Sequence, residues 1–402
     1  MTGLTSCADL IAAGVLTIGD GYRAKNDELG AHGLPFARAG NIDGGFDFDG
    51  ADRFPESDLA RVGDKVSRPG DVVFTSKGTV GRFAFVRPDT PRFVYSPQLC
   101  FWRSQEPNVL DPRFLYYWMH GPEFLAQVGS VKGQTDMADY VSLRDQRRMS
   151  ITIPTHERQR AIVRALGSLD DRIGVNTRSI ELLEAMARAW FERLTPDVDD
   201  GTAETAPVSA LVHLNPTRRL RSGEPAPYLD MANMPTRSAR ASAWVTREAG
   251  SGARFMNGDV LVARITPCLE NGKTAFVDFL EDGQIGWGST EYIVLRSRPP
   301  LPEHYAYLLA RTDTFRSHAI ANMTGSSGRQ RVPASTLADL QVPRPSSDAA
   351  RVLGKMIAPL FEQMKALDEQ SASMRALRDA LLPRLLSGTL RADNAAVEVD
   401  AA

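Results

Sequence analysis

Residues Leu169–Leu194 read LDDRIGVNTRSIELLEAMARAWFERL, one amphipathic stretch in the middle of a 402-residue chain. Extended back to Ile162, alternating steps of four and three select Ile162, Leu166, Leu169, Ile173, Asn176, Ile180, Leu183, Ala187, Trp190 and Leu194, all apolar except Asn176. Apolar residues at this period form the seam of a coiled coil, and a single Asn in such a seam fixes its register. Thr155, just after Pro154, can cap the helix start, with Glu157 in the first turn. Gly174 costs roughly 1 kcal/mol and is tolerated. A helix packed only on its own domain would show the same period. A second stretch decides between the two: Leu353, Ile357, Leu360, Met364, Leu367, Ser371, Met374, Arg378, Leu381 and Leu385 follow the same steps. Pro359 and Pro383 are expected to bend or break this second helix, since each removes an amide donor. Two seams about 190 residues apart satisfy each other most simply as an intramolecular antiparallel coiled coil.

That separation prompts a search for an internal repeat. RPGDVVFTSKGTVGRFAFV (Arg68–Val86) parallels MNGDVLVARITPCLENGKTAFV (Met256–Val277): a turn, a β-branched strand, a polar loop and another strand. DPRFLYYWMHGPEFLAQV (Asp111–Val128) parallels PEHYAYLLARTDTFRSHA (Pro302–Ala319), both aromatic-rich helices. VKGQTDMADYVSL (Val131–Leu143) parallels MTGSSGRQRVPASTL (Met323–Leu337), both polar loops with glycine, and ITIP (Ile151–Pro154) parallels LQVP (Leu340–Pro343). The fold class is α+β: two α/β domains in tandem repeat, each followed by a long helix, the helices paired antiparallel. The boundaries read as a first domain 1–154, a helix 155–194, an acidic linker 195–207, a second domain 208–344, a helix 345–391 and a disordered tail 392–402.

Composition bounds the function. The formal charge of −2 argues against a uniformly basic nucleic-acid coat. Three cysteines (Cys7, Cys100, Cys268) lie far apart without a CxxC, so they read as buried thiols in a reducing cytosol. No apolar run approaches the ~20 residues that span a bilayer, and LIAAGVLTIG is preceded by Asp9 rather than a basic flank, so no signal peptide is read and the cytoplasm is expected. Catalytic motifs are missing. NPT at Asn215–Thr217 lacks the aromatic that an adenine methyltransferase motif requires, and no glycine-rich cofactor loop or Walker sequence occurs. The scattered histidines give no metal site.

The chain resembles the specificity subunit of a type I restriction–modification system. The resemblance covers essentially the whole doubled architecture. It includes IP followed by ERQRAIVRALGSLDDRI (Glu157–Ile173), LLEAMARAWFERL (Leu182–Leu194), LRDALLPRLLSGTL (Leu377–Leu390) and the opening LIAAGVLTIGDGYR (Leu10–Arg23). It implies two target-recognition domains, each reading one half of a bipartite, asymmetric site in double-stranded DNA. The helices act as spacers that carry two methyltransferase subunits, and translocase–nuclease subunits join them. It further implies no catalytic centre and no cofactor in this chain, with S-adenosylmethionine and ATP held by partner subunits. A stand-alone DNA-binding protein and a pure protein scaffold are the alternatives.

Bases are read by side chains that offer donors and acceptors, and phosphates by cations and amides. The candidates are therefore the polar, glycine-containing loops at equivalent places in the two halves. In the first domain these are Tyr22, Arg23, Lys77, Thr79, Arg82, Lys132, Gln134 and Thr135. In the second they are Asn233, Thr236, Arg237, Arg240, Arg264, Lys273, Ser326, Ser327, Arg329, Gln330 and Arg331. Residues 208–340 carry 15 basic and 12 acidic side chains, whereas residues 1–155 carry 17 and 19. The first domain must then bind through a local patch or lean on partners for phosphate contacts.

Overall fold

The computed structural model describes residues 3–43, 45–78, 80–131, 140–195, 204–241, 243–326, 328–391 and 395. The chain divides into two compact units: Met1–Ile173 with Ala372–Ala402, and Gly174–Ser371. The two long helices, His156–Leu194 and Ser347–Ser387, each contribute to both units. Every unit thus combines one α+β domain with the first part of one long helix and the last part of the other.

In the first unit the domain opens and closes on a two-stranded clasp, Gly3–Ser6 antiparallel to Ser150–Ile153. Its main sheet is antiparallel in the order Leu16–Asp20, Leu99–Ser104, Val72–Thr75, Phe83–Phe85. The two central strands are buried almost throughout, and their alternation feeds two cores. Val72, Phe74, Cys100 and Trp102 face helices Pro112–His120 and Pro122–Val131, while Val73, Leu99 and Phe101 face a second apolar layer with Phe93 and Tyr95. A small second sheet orders Arg53–Phe54, Leu34–Ala37 and Val94–Tyr95, the last pair parallel.

The second unit repeats this plan. Thr205–Pro207 clasps Gln341–Pro343, and the main sheet runs Val212–Leu214, Tyr292–Ser297, Asp259–Ala263, Thr274–Phe276. Val260, Val262, Ile293 and Leu295 face the helical side, and Leu261, Tyr292 and Val294 the other. The second sheet again holds a parallel pair, Pro225–Leu229 with Gly286–Gly288. Its exposed edge strand, Val245–Glu248, pairs antiparallel with Pro225–Leu229 as Arg53–Phe54 does with Leu34–Ala37, and Arg254–Phe255 adds a fourth strand beside Gly286–Gly288, where the first unit has, among the described residues, only the Val66–Val94 bridge.

Within each unit the helix segments run antiparallel. In the first, Arg158 donates to the Leu385 carbonyl, and Asp170 pairs with Arg378 at 2.8 Å. Ile162, Leu166 and Leu169 share one core with Met374, Leu381 and Leu385, and Ile173 packs against it. In the second, Ala187 and Phe191 share a core with Leu353, Ile357 and Met364, flanked by Ile180, Leu183, Trp190, Leu194 and Leu360. The one polar position of the first seam meets a polar position of the other: Asn176 Nδ2 donates to Gln370 Oε1 (2.9 Å), Ser371 Oγ (3.1 Å) and the Leu367 carbonyl (3.3 Å).

Two expectations need correction. The second long helix continues through both Pro359 and Pro383. Each proline forfeits one backbone bond, but buried Ile357, Phe361, Leu381 and Leu385 pack around them and hold the helical path. Cys7 and Cys100 are buried, and burial pushes the Cys7 thiol up to about 12, whereas Cys268 lies in a polar loop and is partly exposed. Of the tail 392–402, only Ala395 is among the described residues, and it is buried against the first core; the rest of that reading lies outside them. Among the described residues, no helix is long and apolar enough to cross a membrane.

Two measurements probe this packing. Leu169 is fully buried between helix and domain, so Leu169→Ala should cost about 2–5 kcal/mol in denaturant unfolding. His304 is wedged between the rings of Phe276 and Phe361, and burial pushes its imidazole down to about 4. Above about pH 6.5 it is neutral in both folded and unfolded chains. As pH falls toward 4 only the unfolded chain takes the proton, so stability is lost, by about 2 kcal/mol at pH 5. Comparing unfolding at pH 7 and pH 5, the His304→Phe variant should lose less stability than the parent by about that amount.

Candidate nucleic-acid interface

The same backbone bonds organise one pair of loops in each unit. In the first, Lys77 bridges Tyr140, the Val141 amide donates to the Ser76 carbonyl (2.9 Å), and the Ser76 amide donates to the Gln98 carbonyl (3.0 Å). In the second, Ile265 bridges Arg331, the Val332 amide donates to the Arg264 carbonyl (2.9 Å), and the Arg264 amide donates to the Glu291 carbonyl (3.0 Å). Each pair joins the loop that follows a central strand to the polar loop after the aromatic helices. The loop 324–331 closes on itself through reciprocal bonds between Thr324 and Arg331. Gly325 and Gly328 sit at φ of 125° and 77°, where a side chain would be strained.

The loop side chains differ in exposure and in partners. Arg23 and Lys77 are exposed, as are Ser326 and Arg329, and none of these four has a side-chain partner among the described residues. Gln330 is half-buried and Arg237 and Thr236 are exposed. Arg264 is half-buried, with a buried Nε that lacks a partner. Thr79, Lys132, Gln134, Thr135 and Ser327 lie outside the described residues.

Other candidates are engaged within the protein. Tyr22 packs on Phe54 and donates to Glu28. Arg82 reaches Asp43 and the Ala39 carbonyl, Asn233 donates its backbone amide and Nδ2 to the Asp230 carboxylate, and Lys273 donates to the Met231 carbonyl. Arg331 makes a two-toothed pair with Glu291, its Nε and Nη2 at 2.9 and 2.6 Å from Oε1. Those bonds raise the guanidinium's pKa further above its ordinary value.

Arg240 is not a surface reader. Its side chain is 9% exposed, paired with Asp278 at 2.7 Å and Asp368 at 3.1 Å, and so ties the second domain to the second long helix. Burial pushes the Asp278 carboxyl up, against the pull of Arg240. The sequence alone could not separate this arginine from the loop arginines around it, because its partners lie 38 and 128 residues away.

Sequence reasoning also missed a buried pair present twice. Asp71 holds Arg103 at 2.6 Å, and Asp259 holds Arg296 at 2.7 Å. Both aspartates also accept an amide bond from the residue three positions earlier. The signal was present: GDV at Gly70–Val72 and Gly258–Val260, and RS at Arg103–Ser104 and Arg296–Ser297. In both pairs the aspartate stands at the start of one central strand and the arginine near the end of the other, at the end opposite the loops. Asn215, of the NPT that lacks a methyltransferase aromatic, exchanges bonds with Val294 at a φ of 47° and so shapes a strand end.

Fold and loops together define a tandem α+β protein with one set of stitched polar loops per repeat. The chain is similar to the specificity subunits of three type I restriction enzymes. To EcoEI of Escherichia coli it is 32% identical over 143 residues, 35% of this chain and 24% of that one. To EcoAI of Escherichia coli it is 33% identical over 137 residues, 34% of this chain and 23% of that one. To HindI of Haemophilus influenzae it is 21% identical over 413 residues, 83% of this chain and 89% of that one. The chain thus spans about a quarter of the length of the first two, 24% and 23%. No protein-family profile matches it. The crystal structure of the type I restriction–modification S subunit from M. genitalium shares its fold, with a TM-score of 0.54 at 13% identity, over 96% of this chain and 99% of that one. The resemblance read from the sequence therefore holds in sequence and in fold.

The two kinds of arginine should differ sharply on substitution. Arg240→Ala strands Asp278 and should destabilise the protein by about 3 kcal/mol. Arg329→Ala removes an exposed, unpartnered cation and should change unfolding by no more than about 0.5 kcal/mol. Urea titration of both variants checks this.

Proposed function

We propose that the chain is a non-catalytic, sequence-specific DNA-binding subunit of a type I restriction–modification complex. Each domain reads one half of a bipartite site through its stitched loops. The long helices serve as spacers and as seats for two methyltransferase subunits, to which restriction subunits add. Methyl donor and ATP belong to those partners, and the complex works on double-stranded DNA in the cytoplasm. The observation that carries this reading is the duplication of the loop pair, bond for bond, in a chain whose relatives are all specificity subunits. One loop set would serve a single continuous site, whereas two independent sets suit a site in two parts.

The test is to co-express the chain with its methyltransferase subunit and map methylated adenines across the host genome. A bipartite motif is expected, and the chain alone should incorporate no methyl groups into DNA. Lys77→Ala and Arg329→Ala should each weaken or relax a different half of the motif, because losing a base contact costs about 1–3 kcal/mol at one position. A continuous motif, or both halves changing equally in each variant, overturns the reading.

A further inference from the structure

The two loop pairs match in backbone but differ in one side-chain interaction. Superposing their bonds makes Glu291 the counterpart of Gln98 and Arg331 the counterpart of Tyr140. In the first unit these two do not pair: Gln98 accepts from the Ala39 amide, and Tyr140 is 49% exposed. In the second unit a carboxylate and a guanidinium take the same places and lock together. Glu291 Oε1 and Oε2 lie 2.9 Å from Arg331 Nε, and Oε1 lies 2.6 Å from Nη2. The remaining Nη1 donates to the Arg329 carbonyl at 3.1 Å, inside the loop. The Glu291 carbonyl meanwhile receives the Arg264 amide. One carboxylate residue therefore holds both members of the loop pair.

We infer that Glu291 is a positioning and specificity-determining residue for the second domain: it occupies the Arg331 fork, so that Arg331 shapes the loop instead of binding phosphate. This rests on the DNA-reading function proposed above. A free arginine beside DNA is drawn to the backbone whatever the sequence, since phosphate contacts carry no sequence information. A bidentate pair with a carboxylate satisfies the same fork that would grip a phosphate. With Arg331 engaged, the loop offers Arg329 as its unpartnered arginine, with Ser326 and Gln330 beside it, on a backbone fixed by the Nη1 bond. Affinity is given up for discrimination. The first domain lacks this device, and its recognition should not depend on an ion pair at these positions.

The experiment uses the full chain with its methyltransferase subunit and short duplexes carrying the mapped motif, or the motif with one half scrambled. Glu291→Gln keeps the shape but releases Arg331. It should bind scrambled duplexes more tightly, reduce discrimination for one half by about tenfold, and leave the other half unchanged. The slope of log affinity against log salt should steepen by up to about one, the mark of one added phosphate contact, which a merely loosened loop would not produce. Glu291→Arg combined with Arg331→Glu re-forms the pair with reversed polarity and should recover much of the discrimination. Unchanged discrimination and salt slope in Glu291→Gln, or equal loss in both halves, overturns the inference while leaving the proposed function standing. A parent complex with no preference for either half overturns both.

Discussion

The apolar positions of the two long helices are used twice, and the rest of the structure depends on that double use. In the first unit, Ile162, Leu166 and Leu169 touch the partner helix and the aromatic helix of the domain within a single core. In the second, Phe361 meets Tyr307 and His304 of the domain while its neighbours Ile357 and Met364 share the core with Ala187. Polar groups at the edges of the same seam finish the contact. Tyr117 donates to Asp170, which also pairs with Arg378, and Tyr307 donates to Glu184, which also pairs with Arg188. A domain without its two helix segments would have no floor, and the helix segments without the domain would expose the apolar residues they bury against it.

This arrangement explains what was legible in the sequence. The heptad spacing was legible because a seam is a local pattern, and the repeat because its turns and strands recur in order. Asn176 was legible as a register residue, since a polar group in an apolar seam must find a partner, and it finds Ser371. The prolines misled because local helix rules ignore tertiary packing. At the loops, sequence could name the segments but not sort their arginines. Arg240, Arg331 and Arg329 look alike in one dimension; what separates them is whether Asp278, Glu291 or, among the described residues, nothing stands opposite, and those partners lie about 40 residues away in the sequence, just outside the strands.

Stability and recognition also occupy different ends of the same sheet. The Asp71–Arg103 and Asp259–Arg296 pairs, each on a buried carboxylate at the start of a central strand, are wrapped in backbone bonds, and removal of Arg103 would leave Asp71 without a cation, whereas Asp259 also holds Arg218. The loops follow those strands and carry exposed, unpartnered side chains. Residues at the loop end can change without disturbing the charge pair at the other, so the sheet separates what must stay fixed from what can vary.

The floor of the first domain has a temporal consequence. Met374, Leu381 and Leu385 complete a core whose other members are built from residues up to Ile173. A ribosome adding about 5–20 residues per second needs roughly 10–40 s to make the roughly 200 residues between those two parts. Throughout that interval the first domain has emerged with an open apolar trough along Leu166 and Leu169. The growing second domain must fold beside this unfinished surface without occupying it. Closing a loop of that length adds little entropic cost over a shorter one, so the hazard lies less in the final equilibrium than in how long a sticky surface waits for its own last helix.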